Sequence, residues 1–340
     1  MRSPEELPAV RRLALSEDGL ISRSGALAAG VEADDVVRLV RQGAWIPLRR
    51  GWYTHRDHWE ALDERVGRPR LVIIAGHRSL MRPHVVSHSS AANLLDLPVL
   101  RASDGLIHVT KPGGPRAWVR HGIKHHQSRF EANQVVDRFG VPVLELARTA
   151  LDIARESGFT HGVCAIDSAR QRGVTLEELR DALARMRHWP NVGAPRAALD
   201  VSDDGAESIG ESVSRIVVDE AGLGPVQTQF ELADGVRSAR CDMRVGRHLF
   251  EFDGHLKYLR PSAGGIATKS ADQIVWEEKQ RQDWLCGFEL GMSRIVWSEL
   301  WGDRRTQTIA RLQREYAATT ARYGTSIADL TPYLVRRRAS

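Results

Sequence analysis

Two carboxylates in the C-terminal third stand at a spacing that suits metal chemistry. Segments 240–245 and 248–253 read as strands, and Gly246-Arg247 between them is a candidate two-residue hairpin turn. With Val245 facing His248, the register runs on through Arg244 with Leu249, Met243 with Phe250 and Asp242 with Glu251. Carboxylates directly opposite one another have Cβ atoms about 4.5–5.5 Å apart, and like charges there are destabilising. A divalent cation removes that repulsion, and Mg2+ (or Mn2+) takes a few carboxylates together with water and phosphate oxygens. The alternative is a solvent-exposed acidic face with a longer loop. The same register puts Asp253 on the face of Glu251, opposite Arg240, as a third acidic group.

The elements that must hold this set follow in α/β order. Residues 211–223 read as a helix closed by Gly222, followed by strands at 226–232, 240–245 and 248–253. Gly254 releases the chain, and Lys257-Tyr258 come next. Residues 271–285 form an amphipathic helix with Ile274, part of Trp276, Trp284 and Leu285 toward the core, and Lys279, Gln280 and Asp283 toward the carboxylates. A strand at 292–297 and a helix at 303–320 complete the section.

This section resembles the PD-(D/E)xK nuclease superfamily, in the branch related to very-short-patch-repair endonucleases. The resemblance rests on Glu211-Ser212, Ser214-Arg215, Asp242, Glu251-Phe252-Asp253-Gly254, Lys257-Tyr258, Trp276, Glu278-Lys279 and Arg281-Gln282-Asp283. It implies a restriction-endonuclease-like α/β domain over 206–324 in which Asp242 and Glu251 bind Mg2+. Glu211 assists directly or through water, and the ion activates a water against a phosphodiester. The sequence departs from the motif at one place, where Asp253 stands for the lysine. Either Lys257 or Lys279 supplies that charge, or the domain has kept DNA binding and lost cleavage.

The N-terminal section reads as two short helices and a hairpin. Ser22 caps the first helix and Gly30 ends it. In residues 31–43, Val36, Leu39 and Val40 share one face, acids open the helix, Arg38 and Arg41 lie near its end, and Gly43 stops it. Arg50-Gly51 turns between the apolar strands of a wing. Arg38, Arg41, Arg49 and Arg50, without an acid between them, suit phosphates and groove edges, although such domains also bind proteins. Residues 18–55 resemble the winged helix of AbiEi-type antitoxins through Gly19-Leu20-Ile21-Ser22-Arg23, Ala26-Leu27-Ala28-Ala29-Gly30, Gly43-Ala44-Trp45 and Leu48-Arg49-Arg50-Gly51-Trp52-Tyr53. That resemblance implies operator DNA as ligand, self-repression, and a cognate toxin of a type IV toxin–antitoxin system as a further partner.

The middle section continues the resemblance through residues 86–92, Ile107-His108-Val109-Thr110, Val141-Pro142-Val143 and Ala147-Arg148-Thr149. Strands are expected near 85, 106–110 and 122–126, a buried helix over 143–154, and further helices at 160–170 and 175–187. Between Asp104 and Glu131 no acidic residue occurs, while Lys111, Arg116, Arg120, Lys124 and Arg129 do. This span is either a phosphate-facing surface or an edge strand kept soluble by charge. His84, His88, His125 and His126 lack a carboxylate or thiolate at ligand spacing, so no metal site is expected among them.

The whole is an α+β multidomain chain: a winged helix-turn-helix over 1–80, a mixed α/β domain over 81–201, and the nuclease-like domain over 206–324 after the polar linker 202–208. Its 340 residues carry net charge +5, which leans toward polyanions such as double-stranded DNA. No apolar run approaches the ~20 residues of a membrane helix. Three cysteines, Cys164, Cys241 and Cys286, without paired spacing, read as the reduced thiols of a cytoplasmic protein. Two functions remain open: a Mg2+-dependent DNA endonuclease of phage defence or repair, and a non-catalytic, antitoxin-like repressor.

Overall fold

Ser22 ends the short strand β1 (Leu20–Ser22) and caps α1 (Arg23–Ala28), its Oγ accepting from the Gly25 amide at 2.9 Å. A second helix, α2 (Ala33–Arg41), has acids in its first turn and Arg38 and Arg41 in its last. β2 (Trp45–Arg49) and β3 (Trp52–His55) follow, with Gly51 at φ +78° in the turn between them, where a side chain would be strained. The three strands make one antiparallel sheet in the order β1-β3-β2. Ile21, Ala26, Val31, Val36, Leu39 and Trp45 bury themselves between sheet and helices. The computed structural model describes residues 18–101, 104–113, 116–254 and 271–335.

α3 (Arg56–Ala61) and α4 (Gly67–Arg78) lead to a six-stranded mixed sheet. Its strands are β4 (Val85–Val86), β5 (Ile107–Lys111), β6 (Arg116–Arg120), β7 (Ile123–Gln127), β8 (Val135–Arg138) and β9 (Val141–Leu144), in the order β6-β7-β5-β4-β9-β8. β5 and β7 pair in parallel, with Thr110 beside His126. β6 is an exposed edge. α5 (His88–Leu94) and α6 (Leu146–Ser157) are largely buried. The helix expected over 143–154 therefore begins later, because Val143 and Leu144 are taken by β9.

Beneath α6 lies a buried ionic knot. Arg148 donates to Asp152 at 2.8 Å, to the Arg129 carbonyl at 3.0 Å and to Ser128 Oγ at 2.8 Å. Arg155 donates to the other Asp152 oxygen at 3.1 Å, and the Trp189 ring lies 4.8 Å from each guanidinium.

α7 (Phe159–Gln171), α8 (Leu176–Ala184), α9 (Gly193–Asp200) and α10 (Ile209–Glu220) follow in the chain. The last part is β10 (Gln227–Ala233), β11 (Ser238–Val245), β12 (His248–Asp253), α11 (Ala271–Cys286), β13 (Gly291–Val296) and α12 (Gly302–Tyr323). The sheet order is β10-β11-β12-β13, antiparallel except for the parallel pair β12 and β13, which α11 connects. Phe230, Leu232, Cys241, Leu249, Leu285 and Leu290 are among its core. Trp276, expected partly in that core, is 62% exposed, whereas Leu285 is buried and Trp284 packs against the core.

The fold is mixed α+β. By its internal contacts the chain forms two compact units, 1–157 with 177–195, and 158–176 with 196–340. This division differs from the three sections above, whose boundaries were 80 and 201. α7 belongs with the C-terminal sheet because its Asp167, 1% exposed, pairs with Arg215 of α10 at 2.8 Å. No helix among the described residues is long and apolar enough to cross a membrane.

Candidate nucleic-acid interface

In the first unit, the alternation of β2 and the edge strand β6 gathers cations onto one surface. A concavity of about 880 Å3 is lined by Arg49 and Arg50 of the hairpin, Arg82, Lys111 of β5 and Arg120 of β6, together with Trp118, His121 and His125. A second concavity, of about 540 Å3, lies between α2 and the hairpin and is lined by Arg23, Arg41, Arg49 and Arg50 with Val36, Val40 and Tyr53. The two share Leu48, Arg49 and Arg50, and neither has an acidic residue in its lining.

The electrostatics agree with the geometry. Burial lowers the pKa of the Arg49 guanidinium, which donates to the His121 carbonyl. Burial, and then the positive charges of Lys111, Arg120 and Arg49 among others, lower His125 to about 4. Its ring stacks on Trp118 at 5.0 Å, and Lys111 lies over the same indole at 5.8 Å. A neutral aromatic floor thus sits among cations, a combination that meets phosphates with charge and sugar or base with a flat face.

Of the eight residues expected to contact DNA, Arg41, Arg49, Arg50, Lys111 and Arg120 line this surface. Arg38 does not, being paired with Asp35 at 2.6 Å. Arg116 is exposed on β6 outside both concavities. Lys124 pairs with Glu156 of α6, because strand alternation puts it on the opposite face of β7 from Ile123 and His125. Sequence reasoning missed Arg23, Arg82 and Trp118. The last had a signal, an indole between Arg116 and Arg120 on an acid-free strand.

In the second unit the hairpin register is Val245 with His248, Arg244 with Leu249 and Met243 with Phe250, as the two-residue turn requires. The recorded pairing stops there. Asp242 turns its carboxylate to accept from the Phe252 amide at 2.8 Å. Glu251, 8% exposed, receives two bonds from Arg281, both 2.7 Å. Glu211, in the first turn of α10, accepts from the Glu207 amide at 2.7 Å and from Ser208 Oγ at 2.8 Å. Asp253 stands beside Val296 of β13, and Arg240 pairs with Glu207 at 3.2 Å rather than with Asp253. Lys279 is exposed, Lys257 lies outside the described residues, and the cation that meets Glu251 is Arg281.

Glu211, Asp242 and Glu251 are the carboxylates expected to hold Mg2+ or Mn2+. Each is engaged by protein donors, and they form no group of three with ligand atoms within 4.8 Å of one another. The group of that kind among the described residues is His88, His108 and His126, in the section where no metal site was expected. Sequence spacing gave no sign of it because the three come from three separate elements, His88 from the start of α5, His108 from β5 and His126 from β7.

No protein-family model matches the chain. No curated protein matches it either. Among solved structures, the crystal structure of the RV2827C protein from Mycobacterium tuberculosis is similar over 56% of this chain and 77% of that one, at 16% identity and a TM-score of 0.35.

Proposed function

We propose that the protein binds double-stranded DNA through the basic surface of its first unit and acts as a regulator in the manner of an antitoxin-like repressor. The observation that carries this is the set of seven cations, Arg23, Arg41, Arg49, Arg50, Arg82, Lys111 and Arg120, around two adjoining concavities whose linings hold no acid. In this reading β1 to β3 with α1 and α2 form a winged helix. α2 offers Arg41 to a groove edge, and Arg49 and Arg50 follow the backbone as the wing. Lys111 and Arg120 extend the phosphate track beyond the wing.

Cleavage by the second unit is the other reading. Its support is the element order α10, three strands, α11, β13 and α12, with Glu211 on α10, Asp242 on β11 and Glu251 on β12. Against it stands the engagement of each carboxylate by protein partners. A gel shift on duplex DNA, run beside supercoiled-plasmid incubation with Mg2+ or Mn2+, separates the two. Binding without nicking is the expected result. Metal-dependent nicking abolished by Asp242→Ala and Glu251→Ala establishes the nuclease, and absence of binding overturns both.

A further inference from the structure

Three histidines that DNA binding does not use converge beside the sheet of the first unit. His108 projects from β5 and His126 from β7, on the face that also carries Thr110. Their ring nitrogens, His108 Nδ1 and His126 Nε2, are 3.0 Å apart. His88, directly after β4, stacks on His126 with ring centroids 3.8 Å apart and planes 18° apart. It lies 5.5 Å from the His108 ring. All three are buried, and one ring nitrogen from each lies within 4.8 Å of the others.

Two further features mark the cluster. His88 has φ +54°, a left-handed conformation that disfavours any side chain and that places its ring over the other two. The outer nitrogens have partners that orient the rings. His108 Nε2 lies 3.2 Å from Asp104 Oδ2, and His88 Nδ1 lies 2.9 Å from Ser87 Oγ, which Thr110 Oγ1 holds at 2.8 Å. A carboxylate or hydroxyl on the far nitrogen is the outer-shell pattern of metal-binding histidines.

We propose that His88, His108 and His126 bind one divalent transition-metal ion, zinc being the best match, with a water as fourth ligand. The ligands are His108 Nδ1, with its Nε2 proton on Asp104; His88 Nε2, with its Nδ1 proton on Ser87; and His126 Nε2. Two Zn–N bonds of about 2.0–2.1 Å at a tetrahedral angle separate nitrogens by about 3.3 Å. The observed 3.0 Å is within a small ring rotation of that value. Imidazole suits Zn, Cu, Fe and Ni, whereas Mg2+ and Ca2+ take oxygen ligands. Metal binding displaces the proton shared between His108 Nδ1 and His126 Nε2. Asp104 and Glu156 face the cluster with negative charge, and Lys124, Arg148 and Arg155 with positive charge. The ion therefore competes with fixed cations as well as with protons.

The test is Co2+ and Zn2+ titration of the full-length, chelator-stripped protein. One equivalent of Co2+ with intense tetrahedral visible absorption, displaced by Zn2+, is expected. His108→Gln and His126→Asn should weaken binding at least tenfold. Asp104→Asn, at a position that is partly exposed, should weaken it by about 10–100-fold. His77→Gln, in a separate histidine pair with His84, should leave binding intact. Ring 15N spectra of the wild-type protein give a readout independent of any variant's folding, with three histidines shifting on zinc addition. Failure of the wild type to bind saturably, or saturable binding that leaves those three rings unshifted, overturns the site.

Discussion

For the proposed DNA-binding surface, the salt dependence of affinity measures how many of the seven cations meet phosphate. Each neutralised phosphate contributes about −0.9 to the slope of log K against log salt, so seven contacts give a slope of about −6. Between about 50 and 200 mM salt the affinity should then fall by about three to four orders of magnitude. The sharpest perturbation is Arg49→Ala with Arg120→Ala. Arg49 lines both concavities, and Arg120 stands on the edge strand of the larger one. Losing two contacts should flatten the slope by about 2, to about −4.5. Arg38→Ala and Lys124→Ala are the controls, since those cations are already paired with Asp35 and Glu156. The assay is fluorescence anisotropy of a labelled duplex across a salt series. A slope near zero, or controls that move as much as the double variant, would refute the assignment of this surface.

Asp152→Ala should destabilise the protein by about 3–5 kcal/mol in urea unfolding, because it leaves Arg148 and Arg155 without the buried carboxylate that joins them. Gly210→Ala should cost about 1–3 kcal/mol, since the new Cβ meets the Phe252 ring at 2.0 Å; an unchanged urea midpoint would show that the ring moves freely. Among the histidines whose pKa values are lowered on folding, His77, His125 and His248 fall to about 4 and His126 to about 3. Between those values and about 6.5 the unfolded chain binds more protons, so stability should be level above pH ~6.5 and fall as pH drops toward ~4. His248→Gln should reduce that slope by no more than about 1.4 kcal/mol per pH unit, as read from urea midpoints at several pH values. Arg281→Met should lower stability by about 1–3 kcal/mol, the arginine being a quarter exposed, and a Tm equal to wild type would show that Glu251 is solvated without it.

Local rules reached as far as local geometry did. The Gly246-Arg247 turn predicted the β11–β12 register for three residue pairs, and Ser22 and Gly43 marked the helix ends where the caps formed. Beyond those three pairs, the Asp242 carboxylate accepts from the Phe252 amide, an option that strand alternation alone does not foresee. The cation that meets Glu251 is Arg281, a residue that carried the resemblance without an expected role. What stayed out of reach depended on pairing between distant strands. The parallel match of β5 with β7 brings together histidines 18 positions apart, and no spacing in the chain encodes it. The partner of Asp167 lies 48 positions away, across the expected section boundary, and this pair ties α7 to the C-terminal unit.

Strand alternation makes the two readings of the first unit separable. On β7, Ile123 and His125 face the basic concavity, whereas Lys124 and His126 face α6 and the histidine cluster. An ion held by His126 therefore does not occupy the space that phosphate or base would fill, and it adds charge on the far side of the strand. Its effect on DNA affinity has to pass through the order of β5 and β7, which carry Lys111 and His125 to the concavity. A change in affinity at constant salt slope is the signature of that route, because the number of phosphate contacts is unchanged. A change in slope on zinc addition means instead that the ion alters which cations reach the DNA.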